Sequence, residues 1–479
     1  MISCFVREQK RYTQRELGSL LQCPEERLVF ILRRLKEYGV LKAVKASAAQ
    51  KDMSDLVEED VEVADVEVGE DEYLYVFTFV GVITVFGRVL KCYPKYLLSG
   101  NNNNKKEELC KVLKVLERYN SREQIIRMFN DSSESRSFNL LAVLLFLLND
   151  YYENGSYSNT EDIIETNGAG EILWDRTINE TFTLLSNNHP YYIELQTRKR
   201  INDDFDFFKR LHECVLTKAS EELHDADLLD LFELLPVDLS NEQIDDFGEK
   251  DYILYRIEKE LSVQFNTRKQ LVLKTLYAYI AHSGNLHDTD ALSMIGTNSF
   301  NLVWESVCAD IMDNKLDTPI GLLNLPAPLK SGYRRQTKLI ELIEKPFWSV
   351  TEKTADDTLI PDLISINGDQ FVIFDAKYYN AVLEPDQSPK GQPGIESVTK
   401  QYLYQLAYQK FITDHGFTDV INCFLMPTEA DNVIDKGCVI LPMLSNIGLQ
   451  DIEIRFIPAR MAYEYYLAGR KMDISLLKL

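Results

Sequence analysis

Three side chains near the C-terminal third carry a spacing that could do metal-assisted chemistry: Asp362, Asp375 and Lys377. They lie in the stretch 361–379, Pro-Asp-Leu-Ile-Ser-Ile-Asn-Gly-Asp-Gln-Phe-Val-Ile-Phe-Asp-Ala-Lys-Tyr-Tyr. Asn367-Gly368 between two apolar runs predicts a β-hairpin with a two-residue turn. With those two residues as the turn, Asp362 pairs with Ile373 and Asp375 becomes its diagonal neighbour, ~7–8 Å away. Alternation puts Asp362, Asp375 and Lys377 on one face. Leu363, Val372, Phe374 and Ala376 take the other, so the hairpin is predicted to be covered on both sides. Asp is depleted in strands, and an unpartnered buried carboxylate costs several kcal/mol in effective terms. A divalent cation held between the acids, with a phosphate substrate beside the lysine, would supply the reason. The competing reading is a surface hairpin whose Asp and Lys form a weak ion pair.

Two helices are predicted to frame that face. Phe300, Val303, Trp304, Val307, Cys308 and Ile311 make a clean helical stripe, and Glu305 sits at its edge, where it could reach the sheet. A loop at 384–395, with three prolines and two glycines, follows the hairpin. The helix after it, about 396–413, carries Gln401, Gln405 and Tyr408 at i, i+4 and i+7. These could hold a substrate strand; helix-to-sheet packing is the alternative, and the stronger one for Tyr408. Strands at 420–427, 438–442 and 452–458 and a last helix would complete an α/β unit. Arg334, Arg335 and Lys338 precede the hairpin.

The rest of the chain bounds the class. At 479 residues, 45% hydrophobic and 27% charged, it has core enough for about three globular domains. The longest apolar run, Leu140 to Leu148, is too short to span a bilayer, and no signal-peptide core follows Arg7, Lys10 and Arg11. Eight cysteines without a C-x-x-C pair, and six histidines without ligand spacing, predict a reducing cytoplasm and argue against a zinc site. The net charge of −23 looks hostile to nucleic acid, but 11 acids with no Lys or Arg lie between 52 and 72. Charge balance therefore bears on solubility and steering and leaves a DNA partner open.

Residues 1–44 read as a small helical module closing on a strand. Thr13 caps one helix, and Pro24 starts a second that buries Leu28, Ile31, Leu32 and Leu35. Arg27, Phe30, Arg33 and Arg34 stay solvated. The pattern is winged-helix-like, suited to phosphate contacts or equally to protein contacts. Residues 73–90 alternate β-formers around Gly81 and Gly87, the asparagines 101–104 read as a loop tip, and helices are predicted near 107–119, 137–153, 205–235 and 251–281. Gly168 and Gly170 could bring backbone close to a ligand, yet no P-loop Lys-Ser/Thr follows. A glycine turn into a strand is the plainer reading. Arg198, Lys199, Arg200, Lys209 and Arg210 form a basic patch.

A helix Glu, then Asp362, then Asp375-Ala-Lys377, then a Gln/Tyr helix resembles the layout of the PD-(D/E)xK nuclease superfamily. More narrowly, the chain resembles the LlaJI-type restriction endonucleases, which are similar to McrC subunits of modification-dependent systems. The residues behind this are Val80-Gly-Val82 with Lys91 to Lys95, Gly170 to Ile178, Gly296 to Phe300 with Val303-Trp-Glu305, and Pro361-Asp362 with Asp375 to Tyr379.

The resemblance implies a multidomain α/β (α+β) chain. A winged-helix-like module (1–48) and an acidic linker (49–72) would precede a mixed α/β partner-docking region (73–290). The nuclease domain (291–479) would have a mixed central sheet flanked by helices. It implies an endonuclease of a restriction, anti-phage system, with Asp362, Asp375, the Ala376 carbonyl and Glu305 around Mg²⁺ (Mn²⁺ as substitute). Lys377 would orient or deprotonate water. Double-stranded DNA and a separate McrB-like AAA+ NTPase would be the partners, since this sequence carries no Walker A motif. No membrane partner is implied, and a homodimer is compatible. An inactive DNA-binding scaffold or a repair nuclease are the alternatives.

Overall fold

The computed structural model describes residues 1–45, 73–121, 129–131, 136–187, 189–202, 206–282, 286 and 292–479. The acidic stretch read as a linker lies outside these residues. Several sheets and twelve α-helices among the described residues make the chain mixed α/β. It divides into two units, one comprising Met1, Val85–Gly87 and Ile126–Ser293, the other Ile2–Thr84, Arg88–Ile125 and Met294–Leu479.

The second unit holds every candidate site residue. It begins with a strand that the sequence reading did not place, β1 (Ile2–Arg7), ahead of the first helix; β2 (Arg11–Tyr12) follows. Next come α1 (Gln14–Leu21) and α2 (Glu25–Glu37). Thr13 and Glu16 form a reciprocal capping box on α1, and Leu28, Ile31, Leu32 and Leu35 are the buried face of α2. The strands β3 (Leu41–Lys45) and β4 (Tyr73–Phe77) join β2 in a three-stranded sheet.

β5 (Val80–Val85) and β6 (Arg88–Tyr93) turn at Phe86 and Gly87, both with positive φ, as a type I′ hairpin requires. β1 runs parallel to β6, a pairing that local sequence cannot reveal. α3 (Asn102–Ser121) starts inside the asparagine run read as a loop tip. Asn101 accepts the Asn103 N–H at 3.0 Å, so asparagine serves there as a cap.

β7 (Ser293–Thr297) completes the sheet order β1-β6-β5-β7. A Cβ on Gly296 would lie 2.1 Å from the Val80 carbonyl oxygen, and one on Gly81 equally close to that of Ile295. The two glycines therefore let β5 and β7 approach backbone to backbone. That contact sets where α4 (Phe300–Ile311) begins. All six stripe residues of α4 are buried, and the Trp304 indole N–H donates to the Leu425 carbonyl at 3.2 Å.

The central sheet contains β8 (Leu363–Asn367), β9 (Gln370–Ala376), β10 (Asp419–Thr428), β11 (Ile434–Val439) and β12 (Ile452–Pro458), in the order β8-β9-β10-β12-β11. The β9–β10–β12 core is parallel and both edges are antiparallel. Helix α5 (Ile395–Asp414) is the crossover from β9 to β10, and α6 (Ala459–Leu467) packs against α3 and α4. Phe371 and Ile373 pack with Tyr404, Tyr408 and Phe411 of α5.

In the first unit, helices Leu140–Asn154, Phe207–Asp225, Lys250–Val263 and Thr267–Ala281 accompany an antiparallel sheet. The predicted helices at 205–235 and 251–281 are thus shortened and split, the split falling where Asn266 caps a new helix. Gly170 brings its backbone against the Arg198 carbonyl, where a Cβ would lie at 2.1 Å. Its close approach serves a neighbouring strand rather than a ligand. Arg198 pairs with Glu171 at 2.8 Å and Arg210 with Glu242, which thins the basic patch. Among the described residues, no helix is long and apolar enough to cross a membrane.

Candidate active site

The hairpin turn is Gly368-Asp369, one residue later than the sequence suggests. Asn367 pairs with Gln370, and Gly368 takes φ 62° in the first turn position, as a type II′ turn wants. Asp369 is also tied down: its carbonyl accepts N–H groups from Thr418 and Asp419 at the start of β10. That anchorage shifts the register by two residues, so Ile364, not Asp362, pairs with Ile373. The shift preserves the face and improves the geometry. Continuing the register places Asp362 directly opposite Asp375, instead of diagonal to it.

Asp362 stands just before β8, at the end of the ladder. Its Oδ2 accepts the Ala376 N–H at 2.8 Å, and its carboxyl and that of Asp375 are within hydrogen-bonding reach. Lys377 Nζ lies 2.9 Å from Asp375 Oδ2. Asp375 is buried and Lys377 is partly open. Leu363, Val372, Phe374 and Ala376 are all buried, so the hairpin is covered on both sides.

Burial, the hydrogen bond to Asp375 and the charges of Asp375 and Glu305 push the Asp362 carboxyl up to about 9, against a smaller opposing pull from Lys377. Burial and the acid facing it across the hairpin therefore keep a proton on Asp362 when no divalent cation is present. Glu305, half-buried on α4, is raised by burial; Lys377 and a hydrogen bond from Asn301 oppose this, and Asp375 adds to it. Burial acts to lower Lys377, but Asp375, with Asp362 and Tyr379 behind it, outweighs that and holds the ammonium above its ordinary value. Lys377 is thus a cation here, placed to orient and stabilise negative charge. As the site stands, it is poorly placed to take a proton.

The donor set suits a hard divalent cation. Two facing carboxylate oxygens, crowded enough to retain a proton, are what Mg²⁺ would relieve. Among the described residues no three His, Cys, Asp or Glu side chains form a ready metal cage.

The predicted substrate wall lies elsewhere. Gln401 is fully buried and donates from Nε2 to the Ile373 carbonyl at 2.7 Å. Gln405 Oε1 accepts from Asn422 Nδ2 at 2.7 Å and from the Gln450 N–H at 2.8 Å. Tyr408 is buried in the core and donates to the Leu339 carbonyl at 3.3 Å. All three knit α5 to its surroundings inside the protein. On α5, Tyr404 is a residue that feels the acids, its phenol raised by burial and by the charges of Asp375 and Asp362. Its place one turn after Gln401 was the available signal.

Asn314 was also not foreseen: Nδ2 reaches the Asp362 carbonyl at 3.5 Å and Oδ1 accepts the Ile364 N–H at 3.0 Å. It fixes the backbone that presents Asp362. Nothing in a lone Asn after a helix announces that role.

Fold and site together define a mixed α/β protein with a two-carboxylate, one-lysine site at the open end of a hairpin. The chain belongs to the LlaJI restriction endonuclease family, whose model matches residues 79–329 and 332–445. It is 27% identical over 412 residues to the "Type II restriction enzyme BsuMI component YdjA" of Bacillus subtilis, covering 82% of this chain and 81% of that protein. It also aligns with a solved chain from an assembly of Thermococcus gammatolerans McrB AAA+ hexamers with bound McrC, at 10% identity and a TM-score of 0.37, over 98% of this chain and 99% of that one.

Proposed function

We propose that this chain is the Mg²⁺-dependent DNA endonuclease subunit of a restriction system, with a PD-(D/E)xK-type core built on the β8–β9 hairpin. The observation that carries this is the direct opposition of Asp362 and Asp375 with Lys377 on the same face. Membership of a restriction endonuclease family supports it.

In this reading Asp362, Asp375 and the Ala376 carbonyl would hold the ion, and Glu305 would complete the shell directly or through water. When bound, Mg²⁺ neutralises charge at the scissile phosphate and makes a coordinated water acidic; Mn²⁺ would serve similarly. The protein's own groups do the rest. The Ala376 N–H and Asn314 hold Asp362 in place, α4 sets the position of Glu305, and Lys377, kept charged, steadies water and the developing negative charge. Phosphodiester hydrolysis of double-stranded DNA is the reaction.

The helix pair with β2, β3 and β4 supports a winged-helix-like reading of the N-terminal module. The relative's name, a restriction enzyme "component", supports a multisubunit enzyme. A McrB-like AAA+ NTPase acting from a separate chain follows from the resemblance of the sequence blocks and from the missing Walker A motif. The test is plasmid cleavage with Mg²⁺, with and without the AAA+ subunit encoded nearby, comparing wild type with Asp375→Ala. Cleavage by wild type alone is expected; equal cleavage by both proteins would refute the site.

A further inference from the structure

Beside the Asp/Lys face opens a cavity of about 450 Å³, within the roughly 300–1,000 Å³ range of built ligand sites. Every residue lining it belongs to the second unit. One side is the active site itself, Glu305 with Ala376 and Lys377. The other side comes from the N-terminal module, with Gln9 after β1 and Lys42 on β3, and from Lys95 after β6.

This second wall is held rigidly. Gln9 adopts φ 57°, a left-handed conformation that non-glycine residues rarely take. Its N–H donates to the Phe77 carbonyl at 2.9 Å, and its side-chain Oε1 accepts from Lys95 Nζ at 3.0 Å. Lys95 Nζ lies 4.5 Å over the Tyr378 ring, and the Lys95 N–H reaches the Tyr378 hydroxyl at 3.2 Å. Tyr378, which follows the site lysine directly, donates its hydroxyl to the buried Glu8. The N-terminal wall is thereby fastened to the chain one residue beyond Lys377.

The lining is selective in charge. Lys42, Lys95 and Lys377 face a space whose acids are Glu305 and Glu8. Glu8 is enclosed by the Tyr378 hydroxyl and the Lys95 N–H, and burial holds its carboxyl above the usual range. Cations with amide donors such as Gln9 and Asn301 are the chemistry of phosphodiester contacts.

We propose that Gln9, Lys42 and Lys95 form a flanking-phosphate subsite, gripping the DNA backbone next to the phosphate presented to Asp362, Asp375 and Lys377. It rests on the nuclease reading and assigns the N-terminal module a part in substrate binding at the active site itself. The grip is to backbone, so it carries no sequence preference.

The test is binding of a labelled DNA duplex by the full-length chain in EDTA, over a series of NaCl concentrations. Lys42→Ala, Lys95→Ala and the double variant are compared with wild type. Each single change is expected to weaken binding about fivefold at fixed salt and to reduce the log–log salt slope by about 0.9. Lys42 is exposed, so its truncation leaves the fold intact; for the more enclosed Lys95, Lys95→Arg should restore the slope. Wild-type affinity and slope in Lys42→Ala and in the double variant, with wild-type cleavage, would overturn the subsite and leave the nuclease reading standing. A wild-type chain that neither binds nor cuts DNA overturns both.

Discussion

Asp362 and Asp375 face each other across the open end of a hairpin, close enough to hydrogen-bond, with the Ala376 N–H fixing Asp362 at 2.8 Å. An acid held so far above its ordinary range beside a second carboxyl would be relieved by a divalent cation. Most of the site's testable behaviour follows from that.

The proton held on Asp362 makes metal binding pH-dependent. With the Asp362 carboxyl raised to about 9, Mg²⁺ must displace close to one proton at pH 7, and its affinity should climb as pH rises toward 9. Calorimetry in two buffers of different ionisation enthalpy measures the released proton. Asp362→Asn should release none and bind Mg²⁺ poorly.

The same proton affects stability. The metal-free folded protein keeps it up to about pH 9, whereas an unfolded aspartate loses it near pH ~3.9. The folded state binds more protons across that window, so metal-free stability falls as pH rises through it. Asp362→Asn should flatten this decline and raise the metal-free melting temperature at pH 8 by roughly 2–4 °C. A thermal melt without a gain at pH 8 would count against a proton held on Asp362.

Lys377, held charged by Asp375 at 2.9 Å, is expected to act on the substrate and not on the metal. Lys377→Met should reduce cleavage about 10²- to 10³-fold while Mg²⁺ still binds. Loss of Mg²⁺ binding in this variant would show that the lysine only supports the carboxylates.

Gly296 tests how α4 is positioned. Adding a Cβ 2.1 Å from the Val80 carbonyl, at φ 154°, should destabilise Gly296→Ala by about 3 kcal/mol or more. Displacement of α4 would carry Glu305 with it, so cleavage should drop even at temperatures where the protein stays folded.

Gln405 separates packing from substrate contact. Gln405→Leu leaves the Gln450 N–H and one N–H of the Asn422 amide without an acceptor, the other still donating to the Gln450 carbonyl at 2.9 Å, at about 1–3 kcal/mol for each buried group. Chemical denaturation should register that loss, while DNA affinity at low temperature should match wild type. Weakened binding in a fully folded variant would return Gln405 to the substrate wall.

Local sequence determined a good deal of this protein. The 3.6-residue stripe of α4, the capping box at Thr13 and the apolar alternation of β8 and β9 are short-range signals, and the helices and strands form where they point. Period-2 alternation also put Asp362, Asp375 and Lys377 on one face, because a two-residue register shift leaves the face unchanged. Tertiary structure decided the rest. Anchorage of Asp369 by β10 moved the turn and turned a diagonal pair of acids into an opposed one. Parallel pairing of β1 with β6, across more than eighty residues, delivered Glu8 and Gln9 to the active site. Burial converted Gln401 and Gln405 from a substrate wall into struts between α5 and its surroundings. Each of these depends on a partner distant in sequence, and contacts of that kind leave no periodic trace in the chain that makes them.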